Sequence, residues 1–450
     1  MPSPSGPAPS GRTPACPDGA RAAGGAPRTD EARPAGYRAV FAVHEFRYVF
    51  AAHLLSSLGV VVCELALSVL VFRITASPLL SALTFALGLL PYAVGGTLLS
   101  AVADRCPARR VLVVCDLLCA LAAAGMVLPG MPVAVLLALR CVLAAIAPVF
   151  AGTRAATLGE TLGEGELFVL GRSVIRLVNQ GAQLAGFAAG GLLLAAVTPR
   201  AVLALTAGTF LASALLLRLG TRARPARRGV RGALLGASLG GVRRLLADRR
   251  VRALLLLTWL PPAFVVVPEA LLVPYSGLLG VGPAGTGLLL CSMPIGAVVA
   301  ESLVGAFLGP RARARLTFPM GVFAVLPSLG FAARPSLGWA VLLLVLTGTG
   351  ISYNFGVDRW FVAAVPEELL GQAMTVMQAG RMTVMGLAMG LAGVAAQWAP
   401  LRVVMPAAGV VGAVCVLAVI CEVRRTTPGP DRASAGPVRG GAEPVAGAEK

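Results

Sequence analysis

Charged side chains are scarce in this sequence. Asp, Glu, Lys and Arg make up 13% of 450 residues, about half the share usual in soluble domains. That scarcity excludes an ordinary cytosolic enzyme, a coiled coil and, over most of the length, disorder. Lysine is nearly missing: Lys450 is the only one, so arginine carries almost all of the net charge of +18. Histidine is limited to His44 and His53, and none of the nine cysteines forms a CxxC pair. A metal site has little to be built from, and the cysteines, mostly in apolar runs, read as unpaired thiols. A phosphate-binding P-loop is also missing, which removes ATP as the direct energy source. Gly236-Ala237-Ser238-Leu239-Gly240 and Gly280-Val281-Gly282-Pro283-Ala284-Gly285 fit a hydrolase elbow and a dinucleotide loop by letters only. The first sits in a basic stretch with no strand before it, and the second lies between two apolar runs. Neither an enzyme nor a resident cofactor is expected.

What is abundant is apolar. The chain is 57% hydrophobic, with a mean hydropathy of +0.83. A membrane-spanning helix needs about 20 mostly apolar residues. Between polar tails at 1–44 and 424–450, the pattern predicts an all-α polytopic membrane protein of twelve helices. They fall near 48–72, 79–102, 111–129, 133–153, 172–197, 201–219, 253–275, 284–308, 316–334, 338–358, 374–397 and 403–421. Pairs such as Ser77-Pro78, Pro199-Arg200 and Arg334-Pro335 punctuate them. The longest polar break separates a six-helix half at 45–219 from another at 253–423, with a basic linker at 220–252 between them. The tails lack an apolar core and are expected to be disordered.

The arginines set the orientation. One side carries Arg105, Arg109 and Arg110, then Arg154, then eleven arginines from Arg218 to Arg252, then Arg311, Arg313 and Arg315. The other side carries one per connection at most: Arg73, Arg200, Arg334 and Arg402. Positive loops stay inside, so both termini and the linker are expected in the cytoplasm, in a cell membrane. Arginines scattered between apolar runs do not form a nucleic-acid surface. The expected contacts are membrane lipid and a small molecule, with the protein a monomer.

The halves resemble each other. At an offset of 205, Val60-Val61-Val62-Cys63-Glu64 lies over Val265-Val266-Val267-Pro268-Glu269, and Arg154 over Arg359. Gly186-xxx-Gly190 lies over Gly386-xxx-Gly390 at an offset of 200. A carboxylate recurring at one depth of helices 1 and 7 is the informative match. Glu64 sits about 6 Å outward of its helix centre. Ionised at that depth, it costs at least about 2.5 kcal/mol and must face a cavity or a partner. Two parallel six-helix halves are a known transporter plan, with the substrate site between them.

These features resemble the major facilitator superfamily, and within it the drug–proton antiporter and small-molecule exporter branch. The likeness covers nearly all of 45–423. Ala103-Asp104-Arg105-Cys106-Pro107-Ala108-Arg109-Arg110 is similar to the family's loop between helices 2 and 3, with Ser100 and Pro107 where glycines are usual. Arg140 stands where the family carries an arginine implicated in proton coupling. Gly186-Phe187-Ala188-Ala189-Gly190-Gly191 resembles the antiporter motif of helix 5, with Phe187 in place of proline. The resemblance implies proton-coupled export of a hydrophobic or amphipathic small molecule by alternating access. Import of a nutrient is the alternative within transport, and a membrane receptor or embedded enzyme the alternative outside it.

Residue by residue, Glu64, Glu269, Arg140 and Glu301 are the expected coupling groups, with protons as the coupling ion. Asn179, Gln180, Gln183 and Gln378 are cavity-lining candidates, though amides also join helices. Asp104, Arg105 and Arg109 are expected to form a conformational latch, with Asp116 as partner of a loop arginine. Asp358 and Arg359, with Arg381, are expected to form a second inner gate. Gly186, Gly190, Gly191, Gly386 and Gly390 are expected to bring helices close.

Overall fold

The computed structural model describes residues 37–95, 106–162, 166–222 and 243–426. Asp104, Arg105, most of both tails and most of the linker lie outside the described residues.

After a six-residue helix, Tyr37–Ala42, inside the stretch expected to be disordered, twelve helical segments follow one another in the predicted order among the described residues. They are α1 (His44–Thr75), α2 (Pro78–Leu89), α3 (Ala108–Val127), α4 (Val133–Leu162), α5 (Glu166–Ala196) and α6 (Pro199–Gly220), then α7 (Arg249–Leu279), α8 (Gly282–Phe307), α9 (Pro310–Phe323), α10 (Leu337–Gly350), α11 (Leu370–Trp398) and α12 (Leu401–Thr426). A one-turn helix, Pro91–Val94, extends α2; a 3-10 segment, Leu326–Ala333, extends α9; and α10 runs on through Ile351–Tyr353 into Asn354–Ala364. The described residues contain no strand. Among the described residues, ten helices are long and apolar enough to cross a membrane. The described part of α2 is interrupted at Pro91, because proline has no N–H to continue the ladder, and α5 carries Asn179, Gln180 and Gln183 within its apolar run.

The turn signals act as caps. Ser77 and Thr198 accept from the N–H groups of Leu80 and Ala201 at 3.4 and 3.3 Å, with Pro78 and Pro199 in the first helical position. Asp248 starts α7 by accepting from Arg250 and Val251 at 2.8 and 3.0 Å. Gly280 ends that helix at φ +66°, where a side chain would be strained. Large apolar side chains such as Leu121, Leu192, Leu219, Phe307 and Val414 stand exposed on the outer faces. Water would disfavour so much apolar surface, and lipid would not.

The packing plan repeats after six helices. α1 packs on α5 and α6, α2 on α4, and α3 on α6; α7 packs on α11 and α12, α8 on α10, and the 3-10 extension of α9 on α12. Between the halves, α5 meets α8 and α11 meets α2. The contacts repeat at the residue level as well. Gly59 faces Phe210 on α6, where an added Cβ would meet the ring at 3.5 Å; Phe264, 205 positions on, covers Gly412 on α12, whose Cβ would meet it at 2.8 Å. At the end of the bundle opposite the termini, a Cβ on Gly191 would meet the Cα of Gly287 at 2.7 Å. The related place on α11 and α2 has Gly393 against Ala82, at 2.9 Å. Helices come this close only where at least one of the facing residues is glycine.

Two expectations need correction. Gly186 and Gly190 pack on Val61 and Leu65 of α1, within their own half, whereas Gly386 packs on Leu90 and the backbone of Ala86 across the interface. The match at 200 is therefore a slip of two residues, and Leu184, whose carbonyl accepts from Cys291 Sγ at 3.3 Å, is the counterpart of Gly386. Arg154 is also not in a loop. α4 continues to Leu162, two turns beyond the predicted end, and buries Arg154 inside the bundle.

Candidate functional site

A cavity of about 690 Å³ lies between the halves. Its walls are mainly apolar, from Val60, Phe85, Ile146, Phe150, Phe187 and Met389, with a few polar groups set among them. α1 supplies His53, Ser57 and Glu64 from one face, because positions four and seven apart stack on a helix. α5 adds Asn179 and Gln183, α4 adds Arg154, and α7 adds Glu269 from the opposite half. A second cavity of about 280 Å³ contains Gln180, Glu301, Tyr353 and Arg381. Glu269, Gln183 and Met385 line both cavities.

Glu64 is held. Arg140 Nη2 donates to its Oε1 at 2.8 Å, with the arginine side chain 4% exposed and the glutamate 18%. The guanidinium reaches this point because Gly88 on α2 leaves the space open; a Cβ there would overlap it. Arg140 Nε is buried without a partner, so this arginine is committed to Glu64 and to nothing else in hydrogen-bonding range among the described residues. Glu269 is 8% exposed and makes no hydrogen bond or ion pair among the described residues. The two carboxylates thus share a cavity, one neutralised by its own half and one not.

The other expected residues divide clearly. Gln180 Nε2 donates to Glu301 Oε2 at 2.8 Å, a bond that joins α5 of one half to α8 of the other. Asn179 and Gln183 face the larger cavity. Gln378 accepts from Arg381 at 2.6 Å, which places it one turn behind the smaller cavity. Arg109 donates to the carbonyl of Arg218, tying α3 to α6 within one half. Asp358 and Arg359 are exposed on the last helical piece of α10 and line neither cavity. Asp116 corrects an expectation: it accepts from Ser56 at 3.2 Å and Ser213 at 2.5 Å, and among the described residues no loop arginine bonds to it. It is fully buried where α1, α3 and α6 meet, and those hydroxyls satisfy its oxygens.

Sequence reasoning overlooked His53 and Arg154. His53 Nδ1 accepts from Arg154 and from Ser57, the latter at 3.1 Å. Arg154 also lies over the ring of Phe150, 4.2 Å from its centre. The signal was present: His53, Ser57, Val60 and Glu64 recur on one face of an apolar helix. Among the described residues, no group of three His, Cys, Asp or Glu could hold a metal ion.

Comparisons with known proteins agree with this architecture. The family model described as Major Facilitator Superfamily matches residues 49–357. No curated protein matches the chain. Among solved structures, the nucleoside transporter NupG is similar at a TM-score of 0.65 and 14% identity, covering 83% of this chain and 98% of that one. The POT family transporter PepTSo is similar at 0.69 and 10%, covering 85% and 98%. A bacterial homologue of the human lysosomal transporter Spinster, inward-facing and unoccupied, is similar at 0.59 and 16%, covering 85% and 95%. At such identities the likeness is one of fold.

Proposed function

We propose, for a chain that belongs to the Major Facilitator Superfamily and is a membrane transporter rather than an enzyme, that it exports a hydrophobic or amphipathic small molecule in exchange for protons. The observation that carries this reading is Glu269, a carboxylate without a partner among the described residues, lining both cavities opposite the neutralised Glu64–Arg140 pair. A bare carboxylate in apolar surroundings is costly, and either a proton or a cationic group relieves that cost. The two cannot occupy it together. Binding one expels the other, and a site that must be filled before the halves can rock converts this competition into exchange. The apolar walls suit the carbon skeleton of an amphipathic substrate. The direction, outward, rests on the resemblance of the Gly186–Gly191 segment to the antiporter motif.

In this reading Gln180–Glu301 is an interhalf contact that breaks and re-forms as the cavity changes sides, while Arg109 braces α3 against α6. Both termini face the cytoplasm of a cell-membrane protein that works as a monomer. A reporter fused after Arg425 should then be active only inside the cell; outward activity contradicts this topology. The functional test uses inverted membrane vesicles with an acid interior and a panel of cationic, neutral and anionic amphiphiles. Accumulation that collapses when the pH gradient is dissipated supports the proposal. Accumulation indifferent to the gradient, or seen only in right-side-out vesicles, overturns coupling or direction respectively.

A further inference from the structure

The inner part of the larger cavity has a chemistry that Glu269 does not explain. Arg154 and His53 are 8% and 3% exposed, and both line the cavity. Because Arg154 is permanently charged, the ring nitrogen facing it, His53 Nδ1, must be the acceptor, which leaves the proton of a neutral ring on Nε2. That Nε2 is buried and makes no hydrogen bond of good geometry, with the Asn179 side chain and the Ile175 backbone beside the ring. No carboxylate forms an ion pair with Arg154 among the described residues; Asp116 is near enough to interact with its charge, but its hydrogen bonds come from Ser56 and Ser213 and it does not line the cavity. Ser57 and Asn179 add further donors at the same level. The repeat does not supply a structural reason for the arginine: Arg359, its counterpart by sequence offset, is exposed. A buried cluster rich in donors and poor in acceptors is suited to an anion.

We infer that Arg154, His53 and Asn179 form an anion-binding subsite, and that the substrate is a dipolar amphiphile whose acidic group docks there while its cationic group meets Glu269. The inference rests on the transport reading above for the role of Glu269. The separation follows from α1, where His53 and Glu64 lie eleven positions apart on one face, about 16 Å of helix rise. Glu269 lines the cavity with Glu64, and the apolar wall between the two ends includes Ile146 and Phe150. A molecule with its two charges at the ends of a long apolar chain satisfies all three parts.

The test uses the purified full chain in phosphatidylcholine nanodiscs and radiolabelled ω-aminododecanoic acid, competed by dodecylamine and by dodecanoate. The dipolar compound should bind about tenfold more tightly than either single-headed analogue, the margin that one further charge-assisted hydrogen bond supplies. Arg154→Gln should reduce its affinity to that of dodecylamine while leaving dodecylamine itself within about twofold. Glu269→Gln should reduce it to that of dodecanoate. Where Arg154→Gln does not yield monodisperse protein, Arg154→Lys and Asn179→Leu carry the test, the first retaining the preference and the second reducing it. Equal binding of the three compounds, no binding of any, or an undiminished preference in Arg154→Gln overturns the inference. Binding needs no gradient, so a protein that shows this preference without pH-driven transport would refute proton coupling and leave the subsite standing.

Discussion

The two halves place a carboxylate at the same point of α1 and α7 and then treat it differently. In the first half α4 supplies Arg140, and Glu64 is neutralised at 2.8 Å. In the second half α10 has no charged residue over Leu337–Gly350, and Glu269 stands without a partner among the described residues. The shared packing, from Gly59–Phe210 and Phe264–Gly412 to Gly191–Gly287 and Gly393–Ala82, shows that the frame is common. The difference lies in one side chain. The scaffold is repeated, and an unrepeated arginine decides which carboxylate is left without a partner among the described residues.

The comparison can be broken most strongly at Arg140. Arg140→Gln should leave Glu64 as unpaired as Glu269 and lower stability by about 3 kcal/mol, the cost of removing one partner of a buried pair. Thermal unfolding of the purified protein measures this. The double change Arg140→Gln with Glu64→Gln should recover most of the loss, since neither charge then remains. A smaller effect is expected where the halves touch. Gly393→Leu forces a side chain into Ala82 and Leu79, and overpacking of about 1–3 kcal/mol should slow transport by roughly tenfold or more. Gly208→Leu, at a position where nothing lies within 4 Å, should leave the rate unchanged. The smallest effect belongs to Gln180→Ala. Losing its bond to Glu301 removes about 1 kcal/mol from one state, so initial rates should change by no more than about fivefold.

Much of this is legible in the sequence because membrane helices announce themselves. Long apolar runs, prolines and arginines locate the twelve helices and the repeat, and the cost of a buried charge singles out Glu64, Glu269 and Glu301. Spacing cannot show which polar groups meet. Asp116 reads as a partner for a loop arginine because its depth in α3 is visible, while its serine partners lie 60 and 97 positions away. Arg154 reads as a loop charge because Pro148 and Gly152 stand just before the predicted end of α4, yet the helix runs on to Leu162 through Thr157 and Thr161, each bonded to the carbonyl four residues back. The glycine match at 200 fails for a related reason: GxxxG recurs easily in apolar helices, and a slip of two residues turns a helix to another face.

The central claim is that the unpaired carboxylate, rather than the paired one, exchanges protons for substrate. Counterflow and gradient-driven transport in proteoliposomes, measured side by side for Glu269→Gln and Glu64→Gln with a substrate found in the vesicle panel, test it most directly. The account predicts that Glu269→Gln abolishes transport driven by a pH gradient and retains counterflow, because an amide can neither release a proton nor require one. Glu64→Gln should retain at least part of the gradient-driven rate, since its charge is already answered by Arg140. Full gradient-driven transport in Glu269→Gln, or its loss in Glu64→Gln alone, would contradict the account.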